Sequence, residues 1–298
     1  MRCVLSLLLF AASLPAIDWF AVRPVEVARV ATYSEGVVVD SAGILYISHA
    51  DRISRVTPAG EVSEWAVIDA PNGHKILPDG NHLVCDGKGA VFLLSPRGAV
   101  IKAVANPPWG ANDITLDPDN GGFYFTSPNL SRSEPQGLVY YVDRDGAAHL
   151  VAENMGFPNG LVLPPGGKKL FVGESLYNRI VEFDVLEPGR LGEMRVFASL
   201  PSPTKGEPAA KPDGMALDED GNLYVAHYGM SAVQVLDPRG KLIATLPTGA
   251  MYTSNVAFAG DKMDQLYVTG SIGPSQQTAG VLMRLDLSGV RGLHLLPH

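Results

Sequence analysis

Cysteine is nearly missing from this chain: two in 298 residues, Cys3 and Cys85. If Cys3 leaves with a leader, Cys85 stands alone, so no internal disulfide staples the fold. Within the apolar run HLVCD, Cys85 reads as a buried, inert thiol. Basic clusters are also missing. Lys and Arg number 23 against 31 Asp and Glu, a net charge of −8, which argues against nucleic acid and anionic membranes as partners. No glycine loop of the Walker or Rossmann type is present, no polar low-complexity tract, and almost no helical periodicity. A hydrophobic content of 46% with 18% charged residues describes a globular chain able to bury a large core.

The only long apolar run is N-terminal. MRCVLSLLLFAASLPA combines Arg2, an apolar stretch and small residues, with Ala11 and Ser13 at the −3 and −1 positions of a cleavage site. It is shorter than the roughly 20 residues of a membrane span. The expectation is a signal peptide over residues 1–16, a single domain over 17–298, and a periplasmic or secreted protein without stable membrane association after cleavage. An uncleaved anchor or a short buried strand is the alternative.

What is there is a repeat. Six segments share one plan: EGVVVDSAGILYISH from 35, NGHKILPDGNHLVCD from 72, NDITLDPDNGGFYFTS from 112, NGLVLPPGGKKLFVGE from 159, DGMALDEDGNLYVAH from 213 and SNVAFAGDKMDQLYVTG from 254. Their starts are 37, 40, 47, 54 and 41 residues apart. Each holds a polar residue, a short residue, an apolar run, a Pro/Asp/Gly turn and a β-rich run. A second strand pair follows, as in GLVYYVDRDGAAHLVA. Four strands per unit of this length are the signature of a propeller blade. The fold expected is all-β, a six-bladed β-propeller with four-stranded antiparallel blades around a central metal-binding channel. VEVARVATY is the candidate for closing the ring, and EPGRLGEMRVFASLPSPTKGEPAA is expected to be a surface excursion.

In such a ring the first strand of each blade lines the channel. The position opening each repeat holds Glu35, Asn72, Asn112, Asn159, Asp213 and Ser254, all with a side-chain oxygen. Asn and Asp before Gly are common turn residues. Glu35 has no turn preference, however, and Asn112 is followed by Asp113. Converging oxygens with no thiolate or imidazole suit a hard cation such as Ca²⁺, with Zn²⁺, Mg²⁺ or Mn²⁺ as other divalent candidates. Glu35 and Asp213 together neutralise one divalent ion. The ends of the returning strands form a second series: His49, Asp86, Ser127, Glu174, His227 and Gly270. These are expected to be pocket walls, with Glu174 and His227 as the substrate-binding candidates.

The motifs Ser34-Glu35-Gly36, Asn112-Asp113, Pro158-Asn159-Gly160 and Pro212-Asp213-Gly214-Met215, in this order, make residues 33–287 resemble the gluconolactonase/regucalcin (senescence marker protein) family of six-bladed propellers. The resemblance implies Glu35, Asn159 and Asp213 as metal ligands, Asn112 as ligand or substrate contact, and Asp213 as proton acceptor. Asn72 and Asp113 join Asn112 as substrate-binding candidates, with Asp113 also the alternative to Asp213 as proton acceptor, or else a structural hydrogen-bond acceptor. Sugar-lactone members carry an Arg where this chain has Gly110, and paraoxonases a His where it has Asn72. Neither a sugar-gripping guanidinium nor a histidine dyad is expected. The implied activity is metal-dependent hydrolysis of a small-molecule lactone or ester, the cation polarising the carbonyl and orienting a water. A phosphotriesterase-like hydrolase on the same site, or a non-catalytic calcium-binding or interaction propeller with a plugged channel mouth, are the alternatives.

Overall fold

A computed structural model describes residues 17–129, 134–202, 209–273 and 277–293. Residues 1–16, where the signal peptide is expected, lie outside them. Among the described residues no helix is long and apolar enough to cross a membrane. One 3-10 turn, Trp19–Ala21, precedes six antiparallel sheets.

The sheets are the six expected blades. Their inner strands are Ser34–Val39, Pro71–Ile76, Ile114–Asp117, Pro158–Val162, Lys211–Leu217 and Tyr252–Ala259. Asp-Gly and Gly-containing turns fold each inner strand onto the next. In the fifth blade, Asp218 accepts from Asn222 N at 2.8 Å and Gly221 takes φ +80°, a left-handed conformation that glycine adopts without strain. Pro24–Val30 pairs antiparallel with Gly280–Asp286. The N-terminal strand is therefore the outermost strand of blade six, and it closes the ring.

Blade four departs from the expectation. The stretch read as a surface excursion supplies Arg190–Leu191 and Arg195–Ser199, both paired with Arg179–Glu187. The sheet thus has five strands, and Arg195–Ser199 is part of the blade. Its alternation of exposed and buried residues, RVFAS, is too short to stand out beside the Pro- and Gly-rich sequence around it.

Six apolar clusters sit between neighbouring blades. Val84 and Leu94 of blade two pack with Ile53 of blade one, and Tyr224 and Val233 of blade five with Phe258 of blade six. The second strands bury both faces, as in Leu45–His49, His82–Asp86 and Gly122–Ser127, and read as near-continuous apolar runs, whereas outermost strands such as Val100–Ala105 are largely exposed. Cys85 is fully buried in one cluster, and burial pushes its thiol well above the ordinary range. It is inert, as expected.

Candidate metal and active site

The opening position of each repeat coincides with a β-bulge. Inner-strand pairing skips from Ser34 to Val37, Pro71 to His74, Pro158 to Leu161, Pro212 to Met215 and Thr253 to Val256. In blade three, Asn112 N donates to Thr126 O at 2.8 Å and Thr126 N to Asp113 O at 3.0 Å. Two residues thus oppose one throughout. A bulge kinks its strand and re-aims a side chain, and here it does so around one axis.

The second bulge residue explains the glycine in SEG, PNG and PDGM. A Cβ on Gly36 would lie 2.2 Å from Asn72 O, and one on Gly160 2.1 Å from Asp213 O. Each blade's glycine lets the next blade's ring residue approach. Blades three and six carry Asp113 and Asn255 at this place instead. Their side chains lie against Gly73 and Gly214, and the Asn255 amide favours the ionised form of the Asp113 carboxyl across the channel. Hydroxyls clasp the blades as well: Ser48 Oγ donates to Asn72 O at 2.8 Å, and Thr126 Oγ1 to Asn159 O at 2.8 Å.

Five of the six ring residues, Glu35, Asn72, Asn112, Asn159 and Asp213, line one cavity of about 410 Å³ at the channel mouth. No described residue plugs the mouth. Ser254 does not line it; its hydroxyl bonds to Ser34 O at 2.6 Å. Glu35 Oε2 and Asn112 Oδ1 are buried without a hydrogen-bond partner, a costly state for an oxygen with nothing bound to it. The Asn159 amide donates to Ser175 Oγ at 3.3 Å and favours the ionised form of Asp213 beside it. Burial raises the Glu35 carboxyl to about 8, against a bond from Tyr33 that lowers it and the charge of Asp113 that adds to the rise. Burial, then the charges of Glu35 and Asp113, hold Asp213 well above the carboxylate range. Gathered acids that cannot all ionise, beside unpartnered amide and carboxylate oxygens, have the chemistry of a hard-cation site. Among the described residues no three His, Cys, Asp or Glu side chains are placed to hold a metal. The converging donors are two carboxylates and asparagine amides.

The second series does not reach the cavity. Glu174 accepts from Gly156 N at 2.7 Å and pairs with Arg179. His227 is buried between Asn178 and Gln234, at 2.8 and 3.1 Å, and His49 bonds to Ser54 Oγ at 2.8 Å. Returning strands lie one strand spacing further from the axis, so their ends face the layer between blades. Asp113 is likewise absent from the cavity lining. Accepting from Ile114 N at 2.8 Å, with the Asn255 amide beside it, it lies beneath the oxygen ring. What sequence reasoning missed is the wall: Tyr33, Trp109, Phe157, Lys211 and Tyr228. Tyr33, Gly110, Phe157 and Lys211 each stand two residues before a ring position, a period-two signal available in the sequence.

Residues 33–272 match the model of the SMP-30/Gluconolactonase/LRE-like region. The lactonase drp35 of Staphylococcus epidermidis is 32% identical over 220 residues, 69% of this chain. The chain spans 66% of that relative's length. Two solved structures share the fold. A gluconolactonase from Xanthomonas campestris has TM-score 0.75 and 24% identity, over 89% of this chain and 90% of its own. A calcium-binding protein, regucalcin, from Agrobacterium tumefaciens has TM-score 0.74 and 19% identity, over 89% and 96%.

Proposed function

The chain belongs to the SMP-30/gluconolactonase/LRE-like family, and on that footing we propose that it is a divalent-cation-dependent hydrolase of lactones or esters. The observation that carries the reading is the pair of unpartnered buried oxygens, Glu35 Oε2 and Asn112 Oδ1, at a cavity floor shared with Asp213. Glu35, Asn159 and Asp213 would hold the cation, calcium first among the candidates, with Asn112 completing the set or touching substrate. When bound, the cation supplies Lewis acidity toward the substrate carbonyl.

The chain's own residues do the rest. Asp213 takes the proton of the attacking water, and the Asn159 amide beside it favours the ionised carboxylate that this role needs. Asn72 and Asn112, on neighbouring blades, offer amide groups to the ester oxygens. The aromatic wall excludes bulk water, which strengthens every charge interaction at the floor. The N-terminal leader would place this activity in the periplasm or outside the cell.

The test is a panel of lactones and aryl esters assayed before and after chelation, with calcium added back. The reading expects turnover that chelation abolishes and calcium restores. Turnover that survives complete metal removal would overturn the cation's role.

A further inference from the structure

The cavity has a polar floor and an apolar wall. Above the ring oxygens, the described lining is Tyr33, Trp109, Phe157 and Tyr228 with Pro128 and Leu176. The polar groups at this level are few and mostly engaged. The Tyr33 hydroxyl is close enough to Glu35 to lower its carboxyl. Ser175 Oγ donates to Pro212 O at 2.8 Å and accepts from Asn159. Lys211 is the single cation of the described lining, its ammonium 5.9 Å from the Tyr228 ring centre. Tyr228 itself stacks on Tyr252, centres 4.5 Å apart, and meets Tyr33 edge-on at 6.2 Å.

Position 110 sharpens the point. Gly110 has φ +80°, and a Cβ there would lie 2.2 Å from Gly87 O. No side chain fits without moving the backbone, so this wall position cannot present a hydrogen-bonding side chain. A polyhydroxylated substrate would bury hydroxyls against rings and methylenes, each unpaired hydroxyl weakening binding by about ten-fold. An apolar substituent there gains instead, by about four-fold per buried methylene.

We infer that this site takes a lactone or ester whose acyl part carries an apolar, alkyl or aromatic substituent, seated between Trp109, Phe157 and Tyr228, and that it discriminates against sugar lactones. The inference rests on the hydrolase reading only for its reacting group; the substituent is chosen by the wall.

The decisive experiment therefore reads binding as well as turnover. Calcium-loaded protein is titrated by calorimetry with non-hydrolysable lactams: a series of 5-alkyl-2-pyrrolidinones of increasing chain length, and a polyhydroxylated six-membered lactam. Affinity is expected to rise by about four-fold per methylene over the first few carbons, with the polyhydroxylated lactam at least ten-fold weaker than the longest alkyl member. Phe157→Ala and the milder Trp109→Phe should flatten the chain-length dependence. A flat series, or tighter binding of the polyhydroxylated lactam, overturns the inference. Lactone turnover with sugar preference would sink it and leave the hydrolase reading standing. No lactone turnover, with the alkyl trend intact, would sink the hydrolase reading and leave the wall's selectivity in place.

Discussion

The side-chain amide of Asn255 stands beside the buried carboxylate of Asp113 from the blade opposite and favours its ionised form, each residue occupying a bulge position that holds glycine in the other four blades. The contact bridges the channel just beneath the oxygen ring. Asn255→Ala leaves a buried carboxylate short of a donor and should cost roughly 1–3 kcal/mol. Urea unfolding of Asn255→Ala, Asp113→Ala and the double variant should show the double to be milder than the sum. Strict additivity would mean the contact carries no energy.

Gly160→Ala should be among the harshest single-methyl additions in the protein. Its Cβ would lie 2.1 Å from Asp213 O and 2.7 Å from Gly214 Cα, so blades four and five must part. The expected loss is roughly 1–3 kcal/mol, and calcium affinity should fall with it because Asp213 moves. Wild-type melting and calcium titration in this variant would refute the close-approach account of PNG.

Acid should weaken the fold through a histidine pair. His74 Nε2 and His82 Nδ1 are 2.7 Å apart, packed against Trp65 and Tyr46. Burial lowers His82 from 6.5 to about 4, and burial with the neighbouring His82 holds His74 well below 6.5. A base held neutral contributes stability that is complete above its unfolded value and is lost as pH falls from about 6.5 through about 4. The unfolded chain takes up those protons first. For His82 alone the fall amounts to roughly 3 kcal/mol. Chemical unfolding from pH 8 to 4 should show this slope, and His82→Gln should be less stable at pH 8 but flatter below 6.5. An unchanged slope in the variant would place the acid sensitivity elsewhere.

Cation removal should lower the melting temperature. An ion bound only by the folded state adds about 3 kcal/mol at roughly a hundred-fold excess over its Kd. Chelation should remove that increment, and Glu35→Gln, which withdraws a ligand and half the neutralising charge, should abolish the response to calcium. Equal calcium responses in wild type and Glu35→Gln would exclude Glu35 from the site.

The blade count and the oxygen ring were legible because both are repeated. Six copies of one plan fix the alignment, and a bulge at the same place in each blade keeps Glu35, Asn72, Asn112, Asn159 and Asp213 pointing alike. The series ending in Glu174 and His227 was misplaced because returning strands stand one strand further from the axis, where side chains enter the layer between blades. Asp113 hid because it occupies a glycine position and so lies beneath the ring. The wall hid because the residue two before each ring position differs from blade to blade, Tyr33, Gly110, Phe157 and Lys211, and because Trp109 and Tyr228 fall outside that series. The outer strand Arg195–Ser199 was masked by the Pro- and Gly-rich sequence around it.

The role of Asp213 is tested most directly by lactone turnover of Asp213→Asn, beside Asp113→Asn, at saturating calcium with ion occupancy monitored by thermal shift. Positioned proton transfer contributes about 10²–10⁴ in rate, so kcat of Asp213→Asn should fall by that order while Asp113→Asn, outside the cavity, stays within about ten-fold of wild type. Wild-type kcat in Asp213→Asn, with the ion still bound, would contradict the account.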